Sequence, residues 1–266
     1  FIEQSLSDIQ DELLTLDKKL TVACGEATEI FQLLIDRYNI KNIFSHEEIG
    51  LKISYSRDLK LNLLFKEYQI SWHEYQSNAV IRGLTNRKNW EHDWNNVMRA
   101  PIKKINLIEA RILHYNFSSK KLPNFPAKKY YQKGGFRAAH NELESFFIGR
   151  GVEYFRNISK PEKSRHTCSR LSPYISYGNI SIKEIYKELL RSWDRPGWRR
   201  SMVALSSRLH WHCHFIQKFE SEITIENEPV NRGYKNFPYS IIDKVHNDFQ
   251  LWAHGQTGYP LVDASM

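Results

Sequence analysis

Residues 168–181 have the sequence CSRLSPYISYGNIS, and residues 252–266 have the sequence WAHGQTGYPLVDASM. The first stretch is a turn rich in small hydroxyl side chains, and Arg170 adds a positive charge to it. Such a turn offers backbone and side-chain donors to phosphate oxygens. Serine-rich turns also cap helices, so this pattern alone leaves both interpretations open.

The sequence around the first stretch predicts helices. Residues 136–147, FRAAHNELESFF, carry apolar side chains at helical spacing. Ser181, followed three residues later by Glu184, predicts a capping box at the start of a helix that continues to Leu190. Residues 199–219 form a further long helical pattern. We therefore expect residues 133–266 to be an all-α domain.

The first hundred residues alternate between strand and helix patterns. The opening FIEQSLSDIQDELL predicts an amphipathic helix. Beyond it, strands are predicted at Leu20–Cys24, Asn42–Ser45 and Ile70–Tyr75, and helices at 27–38 and 56–68. This alternation is typical of right-handed crossovers and a parallel sheet. Residues 1–99 are thus expected to be an α/β domain, joined to the helical domain by a lysine-rich linker at 100–132 that contains Pro101, Pro123 and Pro126.

The charge of the chain is unevenly distributed. The net charge is +8; residues 1–100 hold 12 Lys and Arg against 15 Asp and Glu, whereas residues 101–266 hold 26 against 15. The second part is suited to face a polyanion, with an ordinary solvated surface as the alternative. The three scattered cysteines and the absence of a secretory signal or a long apolar run favour a cytoplasmic chain without disulfides or membrane spans.

Two histidines of the long helical pattern, His210 and His214, would share one helix face and could hold a metal. The spacing supplies no third ligand, so packed histidines are favoured and no metal site is predicted.

The two stretches quoted first resemble motifs of the cryptochrome/photolyase family, written TSxLSPYLxxGxIS and WxxGxTGYPxVDAxM. The resemblance continues upstream at FIEQSL (residues 1–6), at Arg57-Asp58, and at the segment 82–101. It implies an N-terminal α/β domain with a parallel sheet, a long linker and a helical FAD-binding domain. Because the first strand and the family's segments beyond VDAxM are missing, the chain is interpreted as a fragment.

The resemblance implies roles for individual residues. Tyr154 would flank the flavin, and Cys168, Ser169, Arg170, Leu171 and Ser172 would bind its phosphates. The segment RLHWHCHF matches the family's ELxWREF helix, so Arg208, Trp211, His212 and Phe215 would line the cofactor and lesion site. Trp211 and Arg208 would be the catalytic residues, and DNA would be contacted by Lys160, Lys163, Arg165 and Trp211.

Three departures from the family pattern fall in this helix. Arg208 stands where the family has a glutamate that binds the dimer base, His212 where it has an arginine, and Cys213 where it has a second glutamate. Losing the carboxylate should weaken recognition of an ordinary cyclobutane dimer. A subgroup variant with unchanged activity is the alternative. The resemblance also implies an electron-relay tryptophan before Trp252, which this sequence lacks. Tyr239 could take its place or could equally be a packed aromatic residue.

The implied function is blue-light-driven repair of pyrimidine dimers in DNA by electron transfer from reduced FAD, a carbon–carbon lyase activity of a monomer. The alternatives are a cryptochrome photoreceptor without repair activity, and a non-catalytic fragment of either. A second, antenna chromophore of unknown identity is a further option in the N-terminal domain.

Overall fold

The structure is a computed structural model that describes residues 1–103, 105–115, 117, 131–238 and 242–266, without the side chains of 242–245. Its first part contains two strands among four helices: α1 Ile2–Leu14, α2 Ala27–Arg37, β1 Asn42–His46, α3 Lys52–Glu67, β2 Ser71–Tyr75 and α4 Trp90–Arg99. The remainder is helical: α5 Phe136–Ile148, α6 Tyr154–Asn157, α7 Pro161–Thr167, α8 Ser172–Ser176, α9 Ile182–Arg191, α10 Arg199–Ser221, α11 Ile242–Ala253 and α12 Pro260–Asp263.

The two strands pair in parallel, with Phe44 opposite His73. The faces of β1 and β2 that carry Ile43 and Trp72 turn toward α3, where Phe65 is 1% exposed and meets the Trp72 ring edge-on at 5.3 Å. The predicted parallel sheet and its crossover helix α3 are therefore confirmed.

The predicted strand at Leu20–Cys24 is wrong, because these residues form no regular structure. Thr21 instead bonds to a segment far away in sequence: its hydroxyl donates to the Leu113 carbonyl oxygen (3.0 Å) and accepts from the Tyr115 N–H (3.0 Å). The segment thus contacts residues 113–115 through a side chain instead of a strand ladder.

The predicted helices of the second part are confirmed, including the capping box. Ser181 Oγ accepts from the Glu184 N–H, and the Glu184 carboxylate accepts from the Ser181 N–H in return. The apolar faces of α5, α9 and α10 meet in one core, whose fully buried members include Phe146, Ile182, Ile185, Leu189 and Met202.

The same core includes residues from the first hundred. Trp90, Trp94 and Met98 on α4 are at most 3% exposed and belong to it, and α1 packs against α5. The predicted domain boundaries at 99 and 133 stay a prediction, and Pro123 and Pro126 lie outside the described residues.

The chain divides into two compact units, residues 1–223 and residues 224–266. The first contains the sheet and α1 to α10, and the second contains α11 and α12. In the described ranges, no helix is both long enough and apolar enough to cross a membrane.

Candidate functional site

The loop at 168–172 has a distinctive backbone conformation. Arg170 is left-handed (φ 58°), and Leu171 follows in the right-handed region (φ −90°, ψ −11°). Successive N–H groups in such a turn converge on one concave point, which is a common anion-binding arrangement. Leu171 is 1% exposed and anchors the loop in the core.

The polar groups of this loop are available to a ligand. Within the described part of the chain, the backbone N–H groups of Ser169, Arg170, Leu171 and Ser172 have no hydrogen-bond acceptor, and neither serine hydroxyl has a partner. Ser172 is exposed, and Ser169 is half-buried. Donors without acceptors at a concave turn fit the phosphates of a dinucleotide cofactor. Cys168 adds no hydroxyl to this set.

The loop is held by Arg150, a residue that the sequence analysis did not identify as part of the site. Its guanidinium donates to the carbonyl oxygens of Cys168 and Ser169 and to the Glu142 carboxylate (2.8 Å). Burial lowers the pKa of Arg150, although the nearby Glu142 opposes this effect. Arg150 therefore binds two carbonyl oxygens of the loop and occupies none of its N–H groups.

The side chain of Arg170 is also held by protein groups. Its Nε lies 3.6 Å from a Glu142 carboxylate oxygen, and Gln132 Nε2 donates to its backbone carbonyl oxygen (2.9 Å). The charge of Arg170 is therefore partly balanced by Glu142.

One face of α10 carries three of the predicted site residues. Arg208, Trp211 and Phe215 are exposed at helical spacing, with Trp211 48% and Phe215 58% exposed. The Arg208 guanidinium carbon lies 4.9 Å from the centre of the Trp211 ring, and the Phe215 ring meets Trp211 edge-on at 5.8 Å. An exposed aromatic face of this kind is suited to stack on a flat ligand.

Tyr154 connects the loop with this helix. Its ring is 5% exposed and packs edge-on against Phe146 at 5.5 Å. Burial raises the pKa of Tyr154 to about 12, Arg208 opposes the shift, and Cys168 adds to it. The short helix α6, which begins at Tyr154, packs against α10.

The other two departures from the family pattern lie on different sides of α10. His212 is half-buried, and burial lowers its pKa. Cys213 is fully buried, and burial raises the pKa of its thiol. Cys213 therefore belongs to the core and not to the exposed face.

His210 and His214 lie on one face, as their spacing predicted. The ring of His210 is 5.1 Å from those of Trp90 and Trp94, and the ring of His214 is 5.8 Å from Trp90. Both rings thus pack against the aromatic residues of α4, and burial lowers the pKa of His214.

The predicted DNA contacts lie at and beside α7. Lys160, Lys163 and Arg165 are all exposed. In the ranges that the structure describes, none of the three has a carboxylate within ion-pair distance. Their charges are thus available to an external anion.

The second unit contains the WAHGQTGYPLVDASM motif. The Asp263 carboxylate accepts from the Thr257 hydroxyl (2.6 Å), the Thr257 N–H (2.9 Å) and the Gly258 N–H (3.0 Å). The bond from the Thr257 hydroxyl is the main cause of the lowered pKa of Asp263. The motif therefore forms a turn closed by its own aspartate, which leaves Tyr259 and Leu261 exposed. Tyr239 lies outside the described residues.

Comparison with known proteins agrees with this arrangement. Residues 204–266 match a family described as the FAD binding domain of DNA photolyase. A cryptochrome DASH from Idiomarina loihiensis is 24% identical over the whole chain, which covers 61% of that protein.

Two solved structures share the fold. A bacterial class III photolyase from Agrobacterium tumefaciens has a TM-score of 0.75 at 17% identity, over 99% of this chain and 57% of its own. An archaeal photolyase from Sulfolobus tokodaii with two FAD molecules has a TM-score of 0.71 at 22% identity, over 100% of this chain and 57% of its own.

The chain thus consists of a small parallel α/β part followed by helices, with a turn suited to phosphates. The chain as a whole is similar in sequence and fold to cryptochromes and photolyases. It spans about 60% of the length of the relatives that it matches.

Proposed function

We propose that the protein binds FAD and repairs pyrimidine dimers in DNA under blue light. The observation that supports this proposal is the loop at 168–172, whose backbone N–H groups have no acceptor in the described part of the chain and so suit an anionic ligand. Ser169, Leu171 and Ser172 would hold the two phosphates through backbone N–H groups and hydroxyls, and Arg170 would add charge. Bound FAD, once reduced, would supply the light absorption and the electron for dimer cleavage.

The α10 face would receive the substrate and the flat part of the cofactor. Trp211 and Phe215 offer exposed ring surface on which an unstacked pyrimidine can lie, which is how enzymes acting on DNA bases hold an extruded nucleotide. Arg208 would orient the lesion by donating hydrogen bonds to its carbonyl oxygens. A carboxylate at this position would accept hydrogen bonds instead. Tyr154 and His212 would border the cofactor from the buried side.

The cations at α7 would contact the DNA backbone. Lys160, Lys163 and Arg165 are exposed and face no carboxylate within the described ranges, so each is free to neutralise a phosphate. Such contacts are independent of sequence and weaken as salt concentration rises.

A photoreceptor without repair activity is the second candidate, and Arg208 is the observation that favours it. Its guanidinium lies over the Trp211 ring at 4.9 Å, on the surface where a flipped base would stack. In this alternative Arg208 covers the Trp211 ring and keeps a base from stacking on it, and FAD responds to light without a DNA substrate.

One experiment separates the two candidates. The protein is reconstituted with FAD, reduced, mixed with an oligonucleotide that contains one pyrimidine dimer, and irradiated with blue light. Repair predicts that dimers disappear in the light and persist in the dark. Photobleaching of the flavin with all dimers intact would favour the photoreceptor, and no retained flavin would contradict both.

A second, antenna chromophore stays open as a proposal. The archaeal photolyase that shares the fold holds two FAD molecules, which supports FAD as the first compound to test. The cytoplasmic location and the monomeric state stay predictions from the sequence.

A further inference from the structure

A stacked group of arginines lies next to the predicted DNA contacts but is not part of them. The half-buried ring of Phe155 on α6 has two guanidinium carbons near its centre, that of Arg156 at 5.3 Å and that of Arg200 at 5.5 Å. Arg156 comes from the same short helix, whereas Arg200 comes from the start of α10. We call Arg156 and Arg200 the arginine pair; both lie over the ring of Phe155.

The arginine pair is fixed by a buried hydroxyl. Ser201 is fully buried; its Oγ accepts from the Phe155 N–H (3.3 Å) and donates to the Val152 carbonyl oxygen (2.8 Å). This bridge ties α6 to the start of α10. The bridge therefore fixes the spacing of the two backbone segments that carry the exposed arginines.

The charges of the pair are available to a ligand. Among the described residues, Arg200 has no carboxylate within ion-pair distance. Arg156 lies 3.3 Å from Glu153, but both side chains are about half exposed, and such surface pairs contribute little.

The charge of Arg200 does not stabilise the helix that carries it. The first turn of α10 contains Arg199 and Arg200 and no acidic residue. A cation near a helix start is unfavourable, so helix stability gives no reason for this charge. The Arg200 guanidinium lies over the Phe155 ring, and this contact leaves its N–H donors available to an external anion.

We propose that Arg156 and Arg200 bind the phosphates of a nucleic-acid strand, as an extension of the α7 contacts. One guanidinium group binds two phosphate oxygens through two parallel hydrogen bonds. Stacking on an aromatic ring orders the side chain in advance, so less conformational entropy is lost on binding. A polymer fits better than a small anion because the exposed cations continue along the chain from Arg156 to Lys160, Lys163 and Arg165. The inference rests on the proposed function for its partner, DNA.

The test measures binding of undamaged duplex DNA in the dark at several salt concentrations. The double variant Arg156→Gln/Arg200→Gln should bind at least tenfold more weakly at low salt. Its slope of log affinity against log salt should be less steep by about 1.8, or about 0.9 for each lost phosphate contact. An unchanged slope and affinity would overturn the proposal. Inorganic pyrophosphate is titrated as a second probe. If the double variant loses affinity for pyrophosphate but keeps its affinity for DNA, the proposal is overturned as well.

Two further variants control for charge and folding. Arg137→Gln removes another exposed arginine that lies over a phenylalanine, Phe136 at 5.6 Å, at the start of α5; its slope should match the wild type. Arg156→Lys/Arg200→Lys keeps both charges and should keep most of the slope, whereas loss of the slope in this variant would contradict the proposal. Because dark binding of undamaged DNA needs no flavin, failure of the flavin function and failure of this inference are distinguishable.

Discussion

Replacing Arg150 by methionine should destabilise the protein and loosen the loop at 168–172. Only 18% of the Arg150 side chain is exposed, and its guanidinium donates to the Cys168 and Ser169 carbonyl oxygens as well as to Glu142. Hydrogen bonds from a charged group contribute about 1.5–3 kcal/mol, and an acceptor left buried without a donor costs about 1–3 kcal/mol.

These contributions are not additive, because water reaches part of the site once the side chain is shortened: Glu142 is 25% exposed. We expect Arg150→Met to lower the free energy of unfolding by about 2–4 kcal/mol. Arg150→Lys keeps a charge near Glu142 but cannot span all three acceptors. It should therefore lower the free energy of unfolding by about half as much as Arg150→Met. The measurement is urea unfolding followed by tryptophan fluorescence at neutral pH.

Arg191 provides the matched control. It forms an ion pair with Glu188 at 2.8 Å, the same distance as the Arg150–Glu142 pair, but its side chain is 76% exposed. Arg191→Met should change the free energy of unfolding by no more than about 0.5 kcal/mol. If Arg150→Met is as mild as Arg191→Met, the explanation of how the loop is held is wrong.

Three further predictions concern local stability. Ser181→Ala removes the capping box of α9 and should cost about 1 kcal/mol in thermal or urea unfolding; no change would contradict the cap. Gly151→Ala would place a methyl carbon 2.6 Å from the Phe146 ring, so we expect lower stability, and a stabilised variant would contradict this packing. His212 has a lowered folded-state pKa because of burial, so stability should fall as pH drops below its ordinary value of 6.5. His212→Gln should flatten that pH profile in thermal unfolding. A profile unchanged from wild type would refute this explanation, and so would an equal flattening by His92→Gln, which changes an exposed histidine of α4.

Local patterns predicted the features that depend on neighbours in sequence. Ser181 and Glu184 are three residues apart, so the capping box was visible in the sequence, and the alternation around β1 and β2 predicted a parallel pair. The strand predicted at Leu20–Cys24 failed because Thr21 bonds to residues about 90 positions away. No local pattern carries that information.

In the candidate site, too, some features were predictable from local sequence and others were not. Sequence motifs identified the loop at 168–172, but not Arg150, which lies 18 residues before Cys168 and follows Gly149 without any recognisable spacing. The sequence also gave no means to tell buried from exposed positions around Trp211. The structure places Arg208 on the exposed face and Cys213 in the core, although both depart from the same motif.

The flavin affinity of the protein tests the central claim most directly. The loop at 168–172 is proposed to bind phosphates, so FAD should bind at least a hundredfold more tightly than riboflavin, which has the same ring system without phosphates; that ratio corresponds to about 2.7 kcal/mol. The measurement is a fluorescence titration of the protein with each compound. FAD and riboflavin binding with equal affinity, or neither binding at all, would contradict the account.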